Sequence, residues 1–197
     1  MSTSPLTEDQ VIAAMRRVPR QRFVPEECAH MAGEDHPLPI GYGQTISQPT
    51  MVAIMTELLR LSPGEKVLEI GTGSGFQAAL LAELGIDVYS VEIIPALAAQ
   101  AIRTLQETGY AERVCVRQGD GYHGWPEHAP YDAVVVTAAA PSLPPPLAAQ
   151  IRVGGRIVIP LGLPERRQQL WVYTKQADGS LHAKRWGDVA FVPFTRG

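Results

Sequence analysis

Apolar and polar positions along the middle of the chain follow two periods that alternate in the order typical of an α/β fold. Short, nearly continuous apolar runs predict strands buried on both faces, and longer segments with apolar residues three or four positions apart predict helices between them. The alternation indicates a doubly wound, mostly parallel sheet covered by helices. The predicted strands are Lys66–Ile70, Asp87–Glu92, Val114–Gln118, 132–137 and 156–160, and the predicted helices are 76–84, 95–108 and 145–150.

The N-terminal part of the chain has a different pattern. A capping box at Thr7 and Gln10 predicts the start of a helix that Pro19 ends, and a second helical pattern covers 51–59. The residues between these helices, 24–50, are rich in proline, glycine, histidine and acids, which is typical of an ordered loop.

The C-terminal part predicts two further strands, 168–174 and Leu181–Val189, joined by an Asp178-Gly179 turn. An Asp-Gly pair between two strand patterns is a strong hairpin signal. We therefore expect an antiparallel edge on the otherwise parallel sheet.

Composition and charge narrow the class of protein. The 197 residues and 45% hydrophobic content suit one soluble domain, and the net charge of −3 argues against a nucleic-acid binder. No apolar run predicts a membrane span or a secretory leader, and the widely spaced Cys28 and Cys115 favour reduced thiols and a cytoplasmic location. Four clustered arginines are interpreted as a solvated helix face: Arg16, Arg17, Arg20 and Arg22.

A glycine-rich turn follows the first predicted strand. Gly71, Gly73 and Gly75 are spaced as G-x-G-x-G before a helix, an arrangement that lets a nucleoside cofactor approach bare backbone. A dinucleotide fingerprint needs its next glycine where this chain has Phe76, and the acid Glu69 precedes the turn. A cofactor without phosphates, such as S-adenosylmethionine, therefore fits better than a dinucleotide. A packing turn with no ligand is the alternative.

The next strand ends carry further candidates. Glu92 lies about 20 positions after Gly71, the spacing at which an acid accepts hydrogen bonds from ribose hydroxyls. Asp120 can accept from an adenine amino group, and Gly121 lets the backbone approach the ring. Each has a plainer explanation, since Glu92 could be an exposed strand-end acid and Gly-Asp-Gly is ordinary turn chemistry. The small residues after Thr137 would leave space for a substrate or would simply pack.

The loop before the second helix carries a run of polar groups at Gln44, Thr45, Ser47 and Gln48. One interpretation is that Ser47 caps the helix over 51–59. Capping and function are compatible, because a capped helix N-terminus also attracts a carboxylate. The sequence shows neither a G-x-S-x-G nor an H-E-x-x-H motif, and its histidines lack metal-ligand spacing, so we expect no metal.

With these motifs in view, the sequence closely resembles the protein-L-isoaspartate (D-aspartate) O-methyltransferases over nearly its whole length. The segments that carry the resemblance are Leu38-Pro-Ile-Gly-Tyr-Gly-Gln-Thr-Ile-Ser-Gln-Pro49, Val67-Leu-Glu-Ile-Gly-Thr-Gly-Ser-Gly75, Gly119-Asp-Gly-Tyr-His-Gly-Trp-Pro126, Val136-Thr-Ala-Ala-Ala140 and Gly154-Gly-Arg-Ile-Val-Ile-Pro160.

The resemblance implies a Rossmann-like enzyme that methylates the free α-carboxylate of isoaspartyl, and potentially D-aspartyl, residues with S-adenosyl-L-methionine and releases S-adenosyl-L-homocysteine. It implies Ser47 as the catalytic residue, and Ser47, Val192 and Thr195 as substrate-binding residues. The cofactor-binding residues would be Gln44, Thr45, Ile46, Ser47, Glu69, Gly71, Thr72, Gly73, Ser74, Gly75, Glu92, Asp120, Gly121 and Thr137.

The expected organisation is a single methyltransferase domain over 1–197. Residues 1–60 would carry the N-terminal helices and the substrate loop, 61–160 the cofactor-binding core, and 161–197 the C-terminal hairpin. The expected partners are isoaspartyl peptides and proteins, with no nucleic acid or membrane, and the expected state is a monomer.

The sequence departs from the family pattern at four positions, which places contacts with the substrate's flanking residues in question: Thr50, Phe76, Ile93 and Ala190. Three alternatives stay open at this point: a methyltransferase with a small-molecule or RNA acceptor, a nucleotide-dependent oxidoreductase, and a non-catalytic binding module.

Overall fold

A seven-stranded sheet forms the centre of the molecule in the computed structural model, which describes residues 4–163 and 166–196. The helices are α1 (Glu8–Arg17), α2 (Pro49–Leu59), α3 (Phe76–Glu83), α4 (Pro95–Glu107) and α5 (Pro145–Ala149). The strands are β1 (Leu38–Gly41), β2 (Gln44–Ile46), β3 (Lys66–Ile70), β4 (Asp87–Glu92), β5 (Val114–Gln118), β6 (Tyr131–Val136), β7 (Ile151–Leu161), β8 (Gln168–Lys175) and β9 (Leu181–Val189). Short 3₁₀ turns cover Arg20–Phe23, Glu26–Met31, Gly121–His123 and Pro126–His128.

The strand order in the sheet is β5-β4-β3-β6-β7-β8-β9. The five strands from β5 to β7 are parallel, and β8 and β9 add an antiparallel edge. The predicted α/β class with an antiparallel C-terminal edge is confirmed. Strand order reverses between β3 and β6, and ligands bind outside the carboxyl ends of the strands at such a switch point.

Two apolar cores explain the near-continuous apolar pattern of the central strands. Neighbouring residues of β3 point to opposite faces, so that Val67 joins the core under α1 to α4 and Leu68 joins the core beside α5. Both side chains have no solvent exposure. Burial on both faces allows few polar positions, which explains why the sequence predicted the residues of β3 and most of β4. The residues of β5, a partly exposed edge strand, were also predicted as the structure has them.

The beginning of α2 differs from the sequence-based prediction. Its N-cap residue is Gln48, and no side chain of the cap residue bonds the helix. Asp35, which lies outside the helix, caps its N-terminus instead. The Asp35 carboxylate accepts hydrogen bonds from the Thr50 N–H at 2.9 Å and from the Thr50 hydroxyl at 2.6 Å. The interpretation of Ser47 as the cap of this helix is therefore wrong.

The segment predicted as an ordered loop over 24–50 contains a small hairpin, β1–β2, with Leu38 opposite Ile46. Gly41, Tyr42 and Gly43 at its tip all have positive φ, which glycine adopts readily and tyrosine does not. Strands of three and four residues are too short to show a period in sequence, which is why this hairpin was not predicted.

Strand β7 begins five residues before the predicted 156–160. Its first half is solvent-exposed around Val153 and therefore lacks an apolar run. The pairing of β7 with β6 shifts register here. At Gly155 the backbone passes close to the carbonyl oxygens of Asp132 and Arg152. Among the described residues, no helix has the length and apolar character needed to cross a membrane.

We expect Gly155→Ala to lower the free energy of unfolding by roughly 1–3 kcal/mol, the usual cost of overpacking. A Cβ at this position would lie 2.8 Å from the Asp132 carbonyl oxygen and 2.9 Å from that of Arg152, and backbone atoms cannot move aside easily. Gly187→Ala in β9, where nothing lies within 4 Å, is the matched control and should change the value by less than about 0.5 kcal/mol. Urea denaturation of both variants measures this, and equal effects would contradict the close approach.

Candidate active site

A cleft opens at the carboxyl ends of β3, β4 and β6, where the strand order reverses. Most of the predicted site residues meet in its lining, although they come from separate parts of the chain. These residues are Gln44, Thr45, Ile46, Ser47, Gly71, Thr72, Gly73, Ser74, Glu92, Gly121, Thr137, Val192 and Thr195. Three predicted residues lie outside the lining: Glu69, Gly75 and Asp120.

The glycine turn presents bare backbone to the cleft for a steric reason. Gly71 has φ +94°, and a Cβ on it would lie 2.4 Å from Thr137 Oγ1. The Thr137 hydroxyl donates to the Gly71 carbonyl at 2.6 Å, so the end of β6 holds the turn in place. Gly75 is the N-cap of α3, and its Cβ position faces Leu105 of α4 at 3.4 Å. Gly75 therefore supports the turn through helix packing.

Glu92 is 4% exposed and connects the end of β4 to the glycine turn. One carboxylate oxygen accepts from the Gly73 N–H at 2.8 Å, and the other accepts from the Ile94 N–H at 2.9 Å. A carboxylate has about four acceptor positions, so each oxygen retains capacity for a further donor. Glu92 can therefore fix the turn and still accept hydrogen bonds from a ligand in the cleft.

Glu69 lies behind the turn and has no solvent exposure. Burial raises the pKa of its carboxyl to about 8, and nearby Glu92 adds to this while a hydrogen bond from the Ser90 hydroxyl opposes it. At neutral pH the group is therefore mainly protonated and uncharged. Ser90 also lies 2.5 Å from the Thr72 hydroxyl. The geometry supports an indirect role for Glu69, through Ser90 and Thr72, and not a direct cofactor contact.

Asp120 is engaged by the C-terminal segment. Its carboxylate accepts from the Tyr122 N–H and from Arg196 Nε, both at 2.9 Å, and the Arg196 guanidinium lies 3.7 Å from the centre of the Tyr122 ring. Burial alone would raise the pKa of Asp120, but the hydrogen bonds from Arg196 and Tyr122 outweigh it and the pKa is lowered. Gly121 beside it does line the cleft.

The C-terminal segment, residues 191–196, is held against the end of β6. The Ala139 N–H donates to the Val192 carbonyl, and the Phe194 N–H donates to the Ala139 carbonyl, both at 2.8 Å. The Gln168 side-chain amide donates to the Phe191 carbonyl and accepts from its N–H. These contacts place Val192 and Thr195 in the cleft lining.

Ser47 lies where the cleft meets a second, open groove. In the part of the chain that the structure describes, no hydrogen bond engages the Ser47 hydroxyl, because Asp35 caps α2 in its place. The groove extends from Ser47 along the β9 end of the sheet. It is lined by Pro37, Thr45, Ser47, Gln48, Met51, Thr137, Asp188, Val189, Ala190, Phe191 and Val192.

Sequence reasoning missed Arg20. It was assigned to a solvated face with its neighbours, and Arg16, Arg17 and Arg22 are indeed exposed, but Arg20 is only 6% exposed. Its guanidinium donates to the carbonyls of four residues in and before the Ser47 loop, which are Ala32, Glu34, His36 and Ser47. The available signal was its position after the end of α1, directly after Pro19 and three positions before the buried Phe23.

Comparison with known proteins agrees with this geometry. Residues 3–197 match the family model described as protein-L-isoaspartate(D-aspartate) O-methyltransferase. A protein-L-isoaspartate O-methyltransferase from Gloeobacter violaceus is 56% identical over 186 residues, covering 94% of this chain and 90% of that protein.

Two solved structures extend the comparison. A protein-L-isoaspartate O-methyltransferase aligns with TM-score 0.84 and 31% identity over 94% of this chain, which spans 61% of that longer chain. A methyltransferase from Geobacter sulfurreducens, S-adenosylmethionine-dependent and in complex with S-adenosyl-L-homocysteine, aligns with TM-score 0.51 and 27% identity over 57% of this chain and 48% of its own.

The fold and the cleft at its switch point define a methyltransferase of the Rossmann-like class. Within that class the matches are specific, since they cover nearly the whole sequence at high identity. The chain belongs to the protein-L-isoaspartate(D-aspartate) O-methyltransferase family. The family predicted from the sequence motifs is confirmed.

We expect Arg196→Ala to increase hydrogen exchange at the Phe194 amide by a factor of about two to five, because a partly exposed ion pair contributes up to about 1 kcal/mol. Arg185→Ala, which removes an exposed ion pair with Asp188, is the control and should leave this amide unchanged. Exchange measured by mass spectrometry tests both variants. Unchanged exchange in Arg196→Ala would show that the Asp120 contact does not hold the segment.

Proposed function

We propose that Ser47 positions the free α-carboxylate of an isoaspartyl residue for methylation in this cleft. The observation that carries the proposal is the unengaged Ser47 hydroxyl at the junction of a backbone-lined cleft and an open groove. The chain is a protein-repair methyltransferase, and its acceptors are isoaspartyl residues in damaged proteins and peptides. We include D-aspartyl residues, which the family's description names, among the acceptors to be tested.

The methyl donor is S-adenosyl-L-methionine, which supplies an electrophilic methyl group on a sulfonium and leaves as S-adenosyl-L-homocysteine. The residues present fit this group. Gly71 and Gly73 present bare backbone to the cleft, Glu92 offers acceptors suited to ribose hydroxyls, and Gly121 lines the cleft where the adenine would approach. We assign the polar loop from Gln44 to Ser47 to the junction of donor and acceptor.

The acceptor needs positioning more than activation. A peptide carboxylate has an ordinary pKa near 4 and is already an ionised nucleophile at neutral pH. The Ser47 hydroxyl can donate to one carboxylate oxygen and leave the other directed at the methyl group, at roughly 3 Å. The amide nitrogen of the following residue then attacks the ester carbonyl and releases methanol, which forms a succinimide, and hydrolysis of the succinimide returns some normal aspartate. The open groove beside Ser47 suits an acceptor that is part of a peptide chain.

We extend the proposal to the organisation of the chain. Residues 1–197 would form one methyltransferase domain, divided at about 60 and 160 as the sequence pattern indicates. Its two cysteines are free in the structure, with Cys28 buried and Cys115 exposed, which supports a reducing compartment such as the cytoplasm. The negative net charge supports a protein acceptor over nucleic acid or an anionic membrane, and we propose a monomer. Light scattering after size exclusion tests the last point.

We expect labelled methyl groups to be transferred to an isoaspartyl peptide and not to the aspartyl peptide of the same sequence. The two peptides have the same charge and composition, so only the position of the α-carboxylate relative to the cleft differs. Scintillation counting of peptide esters measures the transfer. Equal labelling of both peptides, or labelling only of small molecules or RNA, would refute the proposed acceptor.

We expect Ser47→Ala to lower kcat about 10- to 100-fold and to change the Kd for S-adenosyl-L-homocysteine less than about threefold. Loss of one orienting hydrogen bond to a charged group costs about 1.5–3 kcal/mol, and we place that bond on the acceptor side. Ser180→Ala, in the β8–β9 turn, is the control and should behave as the unmodified enzyme. Steady-state kinetics and calorimetry give the two quantities. A normal kcat would exclude the orienting role of Ser47.

A further inference from the structure

Charged side chains are buried at two places beside the cleft. Among the described residues, three with ionisable side chains are buried: Arg20, Glu69 and Glu92. Glu69 is mainly uncharged at neutral pH, since burial raises its pKa to about 8. Of the remaining two, Glu92 lines the cleft at the glycine turn, whereas Arg20 lies behind the lining and bonds the carbonyl of Ser47, which does line it.

The Arg20 guanidinium is surrounded by neutral acceptors. Nη1 donates to the carbonyls of Ala32 at 2.8 Å and Glu34 at 3.5 Å, and Nη2 donates to those of His36 and Ser47, both at 3.1 Å. Its Nε has no hydrogen-bond partner in the described part of the chain, and the guanidinium carbon lies 5.9 Å from the centre of the Phe76 ring. No carboxylate of a described residue forms a salt bridge with Arg20.

The negative charge that acts on Arg20 is that of Asp35, whose carboxylate is hydrogen-bonded to Thr50. Both of its oxygens accept from Thr50 at the start of α2, and it acts on Arg20 only at longer range. A buried cation without an ion-pair partner is costly, because desolvation of such a group costs several kcal/mol. Arginine cannot escape this cost by losing its proton. The guanidinium is held by backbone carbonyls, and its positive charge is not neutralised by an ion pair with a described carboxylate.

We propose that Arg20 is a positioning residue that prepares the Ser47 end of the cleft for an anionic acceptor. It acts in two ways. Its bond to the Ser47 carbonyl fixes the backbone from which the Ser47 hydroxyl projects, and its unpaired charge favours a carboxylate at this end of the cleft. Glu92 disfavours a carboxylate at the other end. This inference rests on the proposed function of Ser47 and deepens it.

The experiment separates the effect of the Arg20 charge from its effect on the Ser47 backbone by changing the charge of the peptide ligand. Enzyme saturated with S-adenosyl-L-homocysteine binds either an isoaspartyl peptide or the same peptide with an α-carboxamide in place of the α-carboxylate, and calorimetry gives both Kd values. In Arg20→Gln we expect the carboxylate peptide to bind about tenfold more weakly and the carboxamide peptide to change less than about twofold. Equal weakening of both peptides would show a purely structural role and overturn the inference.

Two further variants keep the test decisive. Arg22→Gln removes an exposed arginine two positions away, which pairs with exposed Glu107, and should leave both Kd values unchanged. Arg20→Lys keeps the charge but loses the planar fork, so it should retain the preference for the carboxylate peptide while kcat falls about fivefold or more. If Arg20→Gln does not fold, Arg20→Lys decides, and a normal kcat or a lost carboxylate preference in it contradicts the inference.

Methyl-transfer assays on the unmodified enzyme distinguish a failure of the proposed function from a failure of the proposed role of Arg20. If the unmodified enzyme does not methylate the isoaspartyl peptide, the proposed function fails. If it does so and the Arg20 variants show no selective loss for the carboxylate peptide, only the inference about Arg20 fails.

Discussion

The capping of α2 by Asp35 decides what Ser47 can do. A serine two residues before a helix is well placed to bond the helix N-terminus, and such a bond would consume its hydroxyl. Asp35 takes over that role through Thr50, and Arg20 holds the Ser47 carbonyl from below. The loop is therefore fixed by its backbone while its hydroxyl stays unengaged at the cleft. Acceptor positioning depends on this division of contacts.

On the cofactor side of the cleft, side chains likewise hold a backbone segment in place. Thr137 and Glu92 hold the glycine turn by bonding its carbonyl and N–H groups, so the turn is rigid without filling the cleft. The C-terminal segment then closes one side through contacts with β6 and through Arg196 on Asp120. Cofactor and acceptor are thus brought together by elements from both ends of the chain.

The sequence predicted the parts of the molecule that depend on local pattern. The bounds of β3, β4, β5 and β9 match their predictions. Burial on both faces marks β3 and most of β4, a hairpin turn marks β9, and a short apolar run marks the edge strand β5. The motifs and the family resemblance together predicted 13 of the 24 described residues that line the cleft. The contacts that were not predicted join distant positions or exposed segments. The Asp35 cap acts over 15 residues and Arg196 reaches Asp120 over 76, and neither separation leaves a periodic signal. Arg20 was misassigned for the same reason, because its partners are backbone carbonyls that any residue supplies.

The most direct test is a crystal structure of the enzyme with S-adenosyl-L-homocysteine and an isoaspartyl peptide. We expect one α-carboxylate oxygen of the isoaspartyl residue within about 2.6–3.2 Å of the Ser47 hydroxyl, with the other oxygen facing the cofactor sulfur. The Thr50 N–H should still donate to Asp35. A Ser47 hydroxyl bonded to the N-terminus of α2, or a carboxylate bound away from the Ser47 end of the cleft, would contradict this mechanism.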